Sequence, residues 1–315
     1  MTDDVSMDAS TTPLVSILIP AYNHERFIER CLDSVLEEPY PAKELVIIDD
    51  GSTDGTGDKI ADWVARHRGR LPVQYVRRGN KGITATLNEL AVRAHGKFLR
   101  PGASDDYLLP GGLQAQMRYL LAHPGKGAVF GDSVVVDRDG NKLYDSGMCD
   151  LHGANKRRYR SDAGIRHAII SHWAIGGPVT LIKRSALETV ECWREGLRID
   201  DWDLFLRLAA TDALGFIDVN VCAYRLHGNN LSKVPHTPTR IVNLVESQQV
   251  AIRREGLFEE PYRTLLRAQS HYIGAKISFL EKRLWPLLLN MFAYLLLTIL
   301  SKAALPLKTT IVEEA

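Results

Sequence analysis

Residues 44–55 read ELVIIDDGSTDG, an aliphatic run that stops at two carboxylates and a loop bounded by glycines. Leu45 to Ile48 is continuously apolar, as a strand covered on both faces requires. Gly51 and Gly55 let the backbone turn tightly after it, and Ile60, Trp63 and Val64 then recur at helical spacing. The same order occurs upstream: VSILIP at 15–20, the loop Ala21 to His24, then Phe27, Ile28, Cys31, Leu32, Val35 and Leu36 at helical spacing. Downstream, a strand at Val73 to Val76 leads through Arg78-Gly79-Asn80-Lys81-Gly82 to a helix carrying Leu87, Leu90, Ala91 and Ala94. A short strand, Lys97 to Leu99, ends at Pro101-Gly102. Strands and helices in strict alternation imply a parallel sheet. In such sheets ligands sit beyond the carboxyl ends of the strands, so residues 14–106 are expected to bind a nucleotide.

Past Asp106 the rhythm changes. A helix over Gly111 to His123, an extended run from Val129 to Val136 and a turn at Asp139-Gly140 toward Lys142–Tyr144 predict mixed rather than parallel structure. Helices near Ile165 to Ile170 and Asp203 to Ala209 alternate with strands at Val179 to Ile182 and Cys222 to Leu226. From Arg240 the pattern is helical, with a soft boundary near residue 235. The expected architecture is therefore α/β, with residues 14–235 as one domain in two halves, 14–106 and 107–235, and 236–315 as a helical extension. Within that extension LWPLLLNMFAYLLLTIL at 284–300 is almost wholly apolar and flanked by Lys282, Arg283 and Lys302. A span needs roughly 20 apolar residues. The run is consistent with a buried or oligomer helix, an in-plane anchor, or a span, so contact with a membrane or a second copy is expected at 284–304.

The 315 residues are 45% hydrophobic and 24% charged, which excludes a disordered chain. Lys plus Arg total 39 against 38 Asp plus Glu, leaving no basic surplus of the kind that nucleic-acid binding needs. Cys31, Cys149, Cys192 and Cys222 are widely spaced, form no zinc pattern and suit a reducing compartment. Residues 1–13 are polar and acidic, without the apolar run of a signal peptide, and read as a disordered tail before a cytoplasmic domain.

Three acidic clusters fall at expected strand or helix ends. Asp49 and Asp50 exceed what helix capping by Ser52 or Asp54 would use, so at least one is available to a ligand. Asp105 and Asp106 follow the fourth strand, where two adjacent carboxylates need a cation or donor between them and suit Mg²⁺ or Mn²⁺ on a diphosphate. Asp200-Asp201-Trp202-Asp203 opens a helix; one acid suits the dipole, and another could serve as a general base. Tyr224 to Ser232 (YRLHGNNLS) ends a strand with a histidine, amides and a hydroxyl.

In order and spacing, VSILIPAYNHERFIERCLDSVL, LVIIDDGSTDGT, GNKGITATLNELAVRAHGKF, ASDDYL, DDWDLFLRL and YRLHGNNLS resemble the family 2 glycosyltransferases of the GT-A fold. The resemblance covers about residues 14–232. It implies a Rossmann-like mixed sheet flanked by helices, and transfer of a sugar from a nucleoside diphosphate with inversion. It also implies roles for individual residues. Pro20, Ala21 and Tyr22 would lie against the nucleotide, Asp50 would bind a uracil-type base edge and Asp49 would support that loop. Lys81 or Arg78 would approach the donor, Asp105 the ribose, and Asp106 with His227 the metal. Asp201 would be the base. Residues 145–180, including Trp173, Gly176 and Gly177, together with Asp200 and Trp202, would form the acceptor side.

Two residues depart from the family's commoner spelling: Ala103 stands where the first Asp of Asp-x-Asp-Asp would fall, and Asp200 replaces the Glu usual in its motif. The resemblance thus implies a metal-dependent transferase, using Mn²⁺ or Mg²⁺, that builds a surface polysaccharide from a UDP-sugar on a saccharide or lipid-linked acceptor. A polyprenyl-phosphate acceptor is the alternative that residues 284–300 motivate, and a silent binding protein of the same fold is the one Ala103 motivates. A dinucleotide oxidoreductase is disfavoured, since no GxGxxG follows the first strand.

Overall fold

A computed structural model describes residues 12–228 and 237–303. Most of the expected tail, the soft boundary near residue 235, and Asn229, Asn230 and Ser232 lie outside the described residues.

The first half follows the expected alternation: β1 (Val15–Ala21), α1 (Ile28–Glu37), β2 (Lys43–Asp50), α2 (Thr56–Arg66), β3 (Val73–Arg78), α3 (Ile83–Arg93) and β4 (Phe98–Pro101). β1 pairs in parallel with β2 on one side and β4 on the other, and β2 with β3. The period-two alternation of strand side chains divides the aliphatic runs between two cores. Val15, Ile17, Ile19, Leu45 and Ile47 pack under α1 and α2 with Trp63, while Leu18, Val46 and Ile48 pack against α3 with Leu87 and Leu90.

The second half is β5 (Tyr107–Leu108), α4 (Gly112–Ala122), β6 (Ala128–Val136), β7 (Lys142–Tyr144), α5 (Asp162–Ser171), β8 (Thr180–Lys183), α6 (Arg184–Thr189), α7 (Asp200–Ala210) and β9 (Leu214–Arg225). The described strands form one nine-stranded mixed sheet in the order β3-β2-β1-β4-β8-β6-β9-β5, with β7 on β6. β8 runs antiparallel to both β4 and β6, and β9 runs parallel to β6. By these directions the carboxyl ends of β1, β2, β4 and β9 and the start of β8 share one edge of the sheet.

α8 (Thr237–Arg254) and α9 (Tyr262–Leu280) join the α3 side of the core through Val250, Ala251, Leu266 and Ile273. Arg254 of α8 forks onto the buried Asp203, with Nε and Nη2 at 2.7 and 3.0 Å from its two oxygens, and Arg207 Nε meets the same carboxylate at 2.9 Å. α10 (Leu284–Ala303) packs on α9 and leaves its outer face open, with Trp285 74%, Leu289 68% and Phe292 67% exposed. A buried core helix, one of the expected readings of 284–300, is thereby excluded. By length and composition alone α10 could cross a membrane: 20 residues at a mean hydropathy of 1.8 over its most apolar window.

Candidate active site

The loop after β1 and the loop after β2 are laced together at the shared edge. Asn23 N–H donates to Ser52 Oγ (3.0 Å), Thr53 N–H to Asn23 Oδ1 (2.8 Å), His24 N–H to Thr56 Oγ1 (2.8 Å) and Glu25 N–H to Asp54 Oδ2 (3.1 Å). Gly51, at φ 79°, lets the β2 loop approach the next one so closely that a Cβ would lie 2.7 Å from Asn80 N. The Asp50 carboxylate bridges this approach, accepting from Lys81 N–H (2.8 Å), Gly82 N–H (3.0 Å) and the Arg78 guanidinium. A carboxylate has about four acceptor positions, and protein donors take most of those on Asp50. Through these bonds Asp50 shapes the 78–82 loop. Asp49 is fully buried and accepts from Ser52 N–H (2.9 Å).

Between β4 and β5, two adjacent carboxylates take opposite environments. Asp105 faces the edge, with Oδ2 2.9 Å from His227 Nε2 and Oδ1 3.8 Å from His24 Nδ1. Donor atoms of His24, Asp105 and His227 all lie within 4.8 Å of one another, close enough to hold a metal ion. Burial works against the Asp105 charge, yet His227 and His24 hold its carboxyl below the usual value. Asp106 turns into the protein and accepts Arg225 N–H at 2.8 Å. Burial first, then the neighbouring Asp105 charge, push Asp106 well above the ordinary carboxylate range. Asp105, expected on the ribose, is thus the carboxylate that faces the two imidazoles, and Asp106, expected at the metal, is the one that faces Arg225 N–H. Burial also depresses the imidazole of His24, countered in part by Asp105, which favours the neutral, ligating form. Arg225 rivets this arrangement from behind, with Nε donating to Asp105 O (2.9 Å) and Nη1 to Asp137 O and Arg138 O (3.1 and 3.0 Å).

At the start of α7 the three acids divide their work. Asp203 is the buried partner of Arg207 and Arg254. Asp201 Oδ2 accepts Gly177 N–H at 2.8 Å, which ties the start of α7 to the turn that enters β8. Because β8 begins where β4 ends, Asp201 arrives at the same sheet edge as Asp105. Burial raises the Asp201 carboxyl to about 6, with the Gly177 bond opposing, and burial, then the Asp201 charge, raises Asp200 well above the ordinary carboxylate range. Gly177 has no room for a side chain: a Cβ would sit 2.7 Å from Asp201 Oδ1.

Of the other expected residues, Pro20 and Ala21 end β1 at this edge, Tyr22 is exposed beyond them, and Lys81 is exposed beside Glu89 (3.5 Å). Gly176 directly precedes Gly177. Trp202 is corrected from the acceptor side to the core, 3% exposed with Nε1 donating to Ile169 O at 2.8 Å. Trp173 is half-buried, its ring centroid 6.5 Å from that of Trp202. The sequence reading missed His24: it sits in the quoted AYNH loop, but nothing local distinguishes it until β4 and β9 bring Asp105 and His227 alongside.

Residues 16–188, more than half of the chain, match the family model described as glycosyl transferase family 2. Chondroitin synthase of Escherichia coli is 28% identical over 222 residues, covering 70% of this chain and 30% of that protein, so this chain spans under a third of its relative. Among solved structures, the mannosyltransferase PcManGT of Pyrobaculum calidifontis, in complex with GDP-Man and Mn²⁺, superposes with a TM-score of 0.65 at 21% identity over 94% of this chain and 78% of that one. S. aureus TarS 1-349 in complex with UDP-GlcNAc gives a TM-score of 0.60 at 14% identity, covering 92% and 91%. These are GT-A folds, and with the family model matched across β1 to α6 the chain belongs to the family 2 glycosyltransferases.

Proposed function

We propose that the chain is an inverting glycosyltransferase that moves a sugar from a nucleoside diphosphate to a hydroxyl of a saccharide acceptor, in the synthesis of a surface polysaccharide. One observation carries this reading: the His24, Asp105 and His227 cluster and the raised carboxyl of Asp201 lie along the same sheet edge. The names of similar proteins support its parts, chondroitin synthase for the product class and the GDP-Man and UDP-GlcNAc complexes for the donor class.

Two imidazoles and one carboxylate fit a divalent ion, and this nitrogen-rich set suits Mn²⁺ better than the all-oxygen preference of Mg²⁺. A divalent ion bound there would supply Lewis-acid stabilisation to the departing diphosphate. Pro20, Ala21 and Tyr22 flank the nucleotide, Asp50 holds the loop that carries Lys81 toward the phosphates, and Asp201 Oδ1 takes the acceptor proton while Gly177 N–H fixes Oδ2. A carboxyl near 6 is half ionised one unit below neutrality, a suitable base for attack from the face opposite the leaving group. His24 gives the cluster a third donor without an acid at position 103, which weakens the case for a silent protein. The open face of α10 supports a position at the inner surface of a membrane.

Purified protein incubated with Mn²⁺ and a panel of UDP- and GDP-sugars should release nucleoside diphosphate, and chelation should stop it. Asp201→Asn should abolish transfer to saccharides while nucleotide binding persists. Full transfer by that variant would remove Asp201 from the mechanism. A mild loss, with product on a lipid carrier, would favour a polyprenyl-phosphate acceptor, a reading that the exposed apolar α10 also supports.

A further inference from the structure

Away from the sheet edge, α5, α9 and α10 enclose a cavity of about 300 Å³. Arg158, His167, His172 and Lys302 line it, together with Tyr294 and Thr298 of α10, and no carboxylate does. A smaller cavity of about 200 Å³ shares Arg158 and His172. Among the described residues no acid pairs with Arg158 or Lys302. Burial first, then the charges of Arg158 and Lys302, depress the His167 imidazole, so these groups share one positive field. An uncompensated cluster of an arginine, a lysine and imidazoles, with hydroxyls beside it, is chemistry for a phosphate.

Tyr294, Thr298 and Lys302 of α10 recur every four residues on the cavity side. Trp285, Leu289, Phe292, Leu296 and Ile299 cover the outer arc, all exposed. At 1.5 Å per residue the helix is roughly 30 Å long, and it ends near the cavity at Lys302. A helix lying in the interface with that arc buried would set the cavity at headgroup depth.

We propose that this cavity is a binding site for the phosphate of a lipid headgroup, seated on Arg158 and Lys302 while the acyl chains run beside α10. The proposal rests on the reading of the chain as a membrane-surface enzyme, and its test separates the two. Full-length protein is sedimented with vesicles of phosphatidylcholine alone and with vesicles that also contain phosphatidic acid. Binding to both is expected, tighter with phosphatidic acid by on the order of tenfold. Arg158→Gln with Lys302→Gln should erase that preference and keep the binding to phosphatidylcholine. Leu289→Glu with Phe292→Glu should lose both. A double glutamine variant that keeps the full preference overturns the phosphate site and leaves the membrane reading standing. Failure of the wild type to bind any vesicle overturns the lipid assignment; titration with glycerol phosphate, read on the His167 ring resonances, then tells whether the cavity binds a free phosphate. No response of His167 there overturns the site altogether.

Discussion

Asp105 and Asp106 are identical in type and adjacent in sequence, and only their surroundings separate them. One meets two imidazoles at the edge, the other a backbone N–H within the protein, and the electrostatics push their titrations apart. Replacing His24 by Ala should weaken Mn²⁺ binding by at least about tenfold, the size that even a supporting contact to a ligand carries, measured by calorimetry with nucleotide present. Gly177→Ala would press a methyl group on Asp201 Oδ1, so turnover should fall while nucleotide affinity holds, a split visible in kcat against Kd. Asp201 also makes a stability prediction. Its carboxyl is raised from 3.8 to about 6, so the folded state prefers it neutral. Below 3.8 it costs nothing; as pH climbs through this window toward 6 its ionisation increasingly favours unfolding. Asp201→Asn should therefore match the wild type near pH 3.5 and melt higher above pH 6, in paired thermal scans. The acids themselves were legible in the sequence because they exceed what capping requires. Which of them faces a ligand was not, because that depends on Arg225 and Arg254, far along the chain.

Elements show the same division. β1 and β2 could be read from continuous aliphatic runs that feed two cores. β5 could not, since two residues become a strand only by pairing with β9. The first half of β9 was missed for a related reason: Gly215, Asp218 and Asn220 interrupt its apolar pattern, and pairing with β6 supplies what propensity does not. α6 is too short for periodicity to register. α8 was read as part of an extension, yet its Arg254 is half of a buried ion pair within the main core. Arg254→Ala should cost about 3 kcal/mol by stranding part of the Asp203 charge. That corresponds to a fall in Tm of roughly 5 °C, while nucleotide binding below the transition stays unchanged.

At the scale of the whole molecule, one apolar helix face remains uncovered. A patch of this kind drives association in water, so the chain without lipid or detergent should form larger species. Leu289→Glu with Phe292→Glu should return it to the 35.2 kDa of a single chain in light scattering. The sequence marked the segment through composition alone; its partners were illegible because α9 contacts it through Asn290 and Tyr294 rather than through a motif. The cluster at the sheet edge has a different whole-molecule character. His227 lies 122 residues beyond Asp105 and reaches it only when β9 is seated beside β6. A nascent chain that has emerged as far as β8 already carries the loops of Asp49–Asp50 and Asp105–Asp106 and α1 to α5, yet has no complete set of donors. If the cluster holds a metal as proposed, its occupancy would report that β9 has docked beside β6, and metal titration would double as a folding assay.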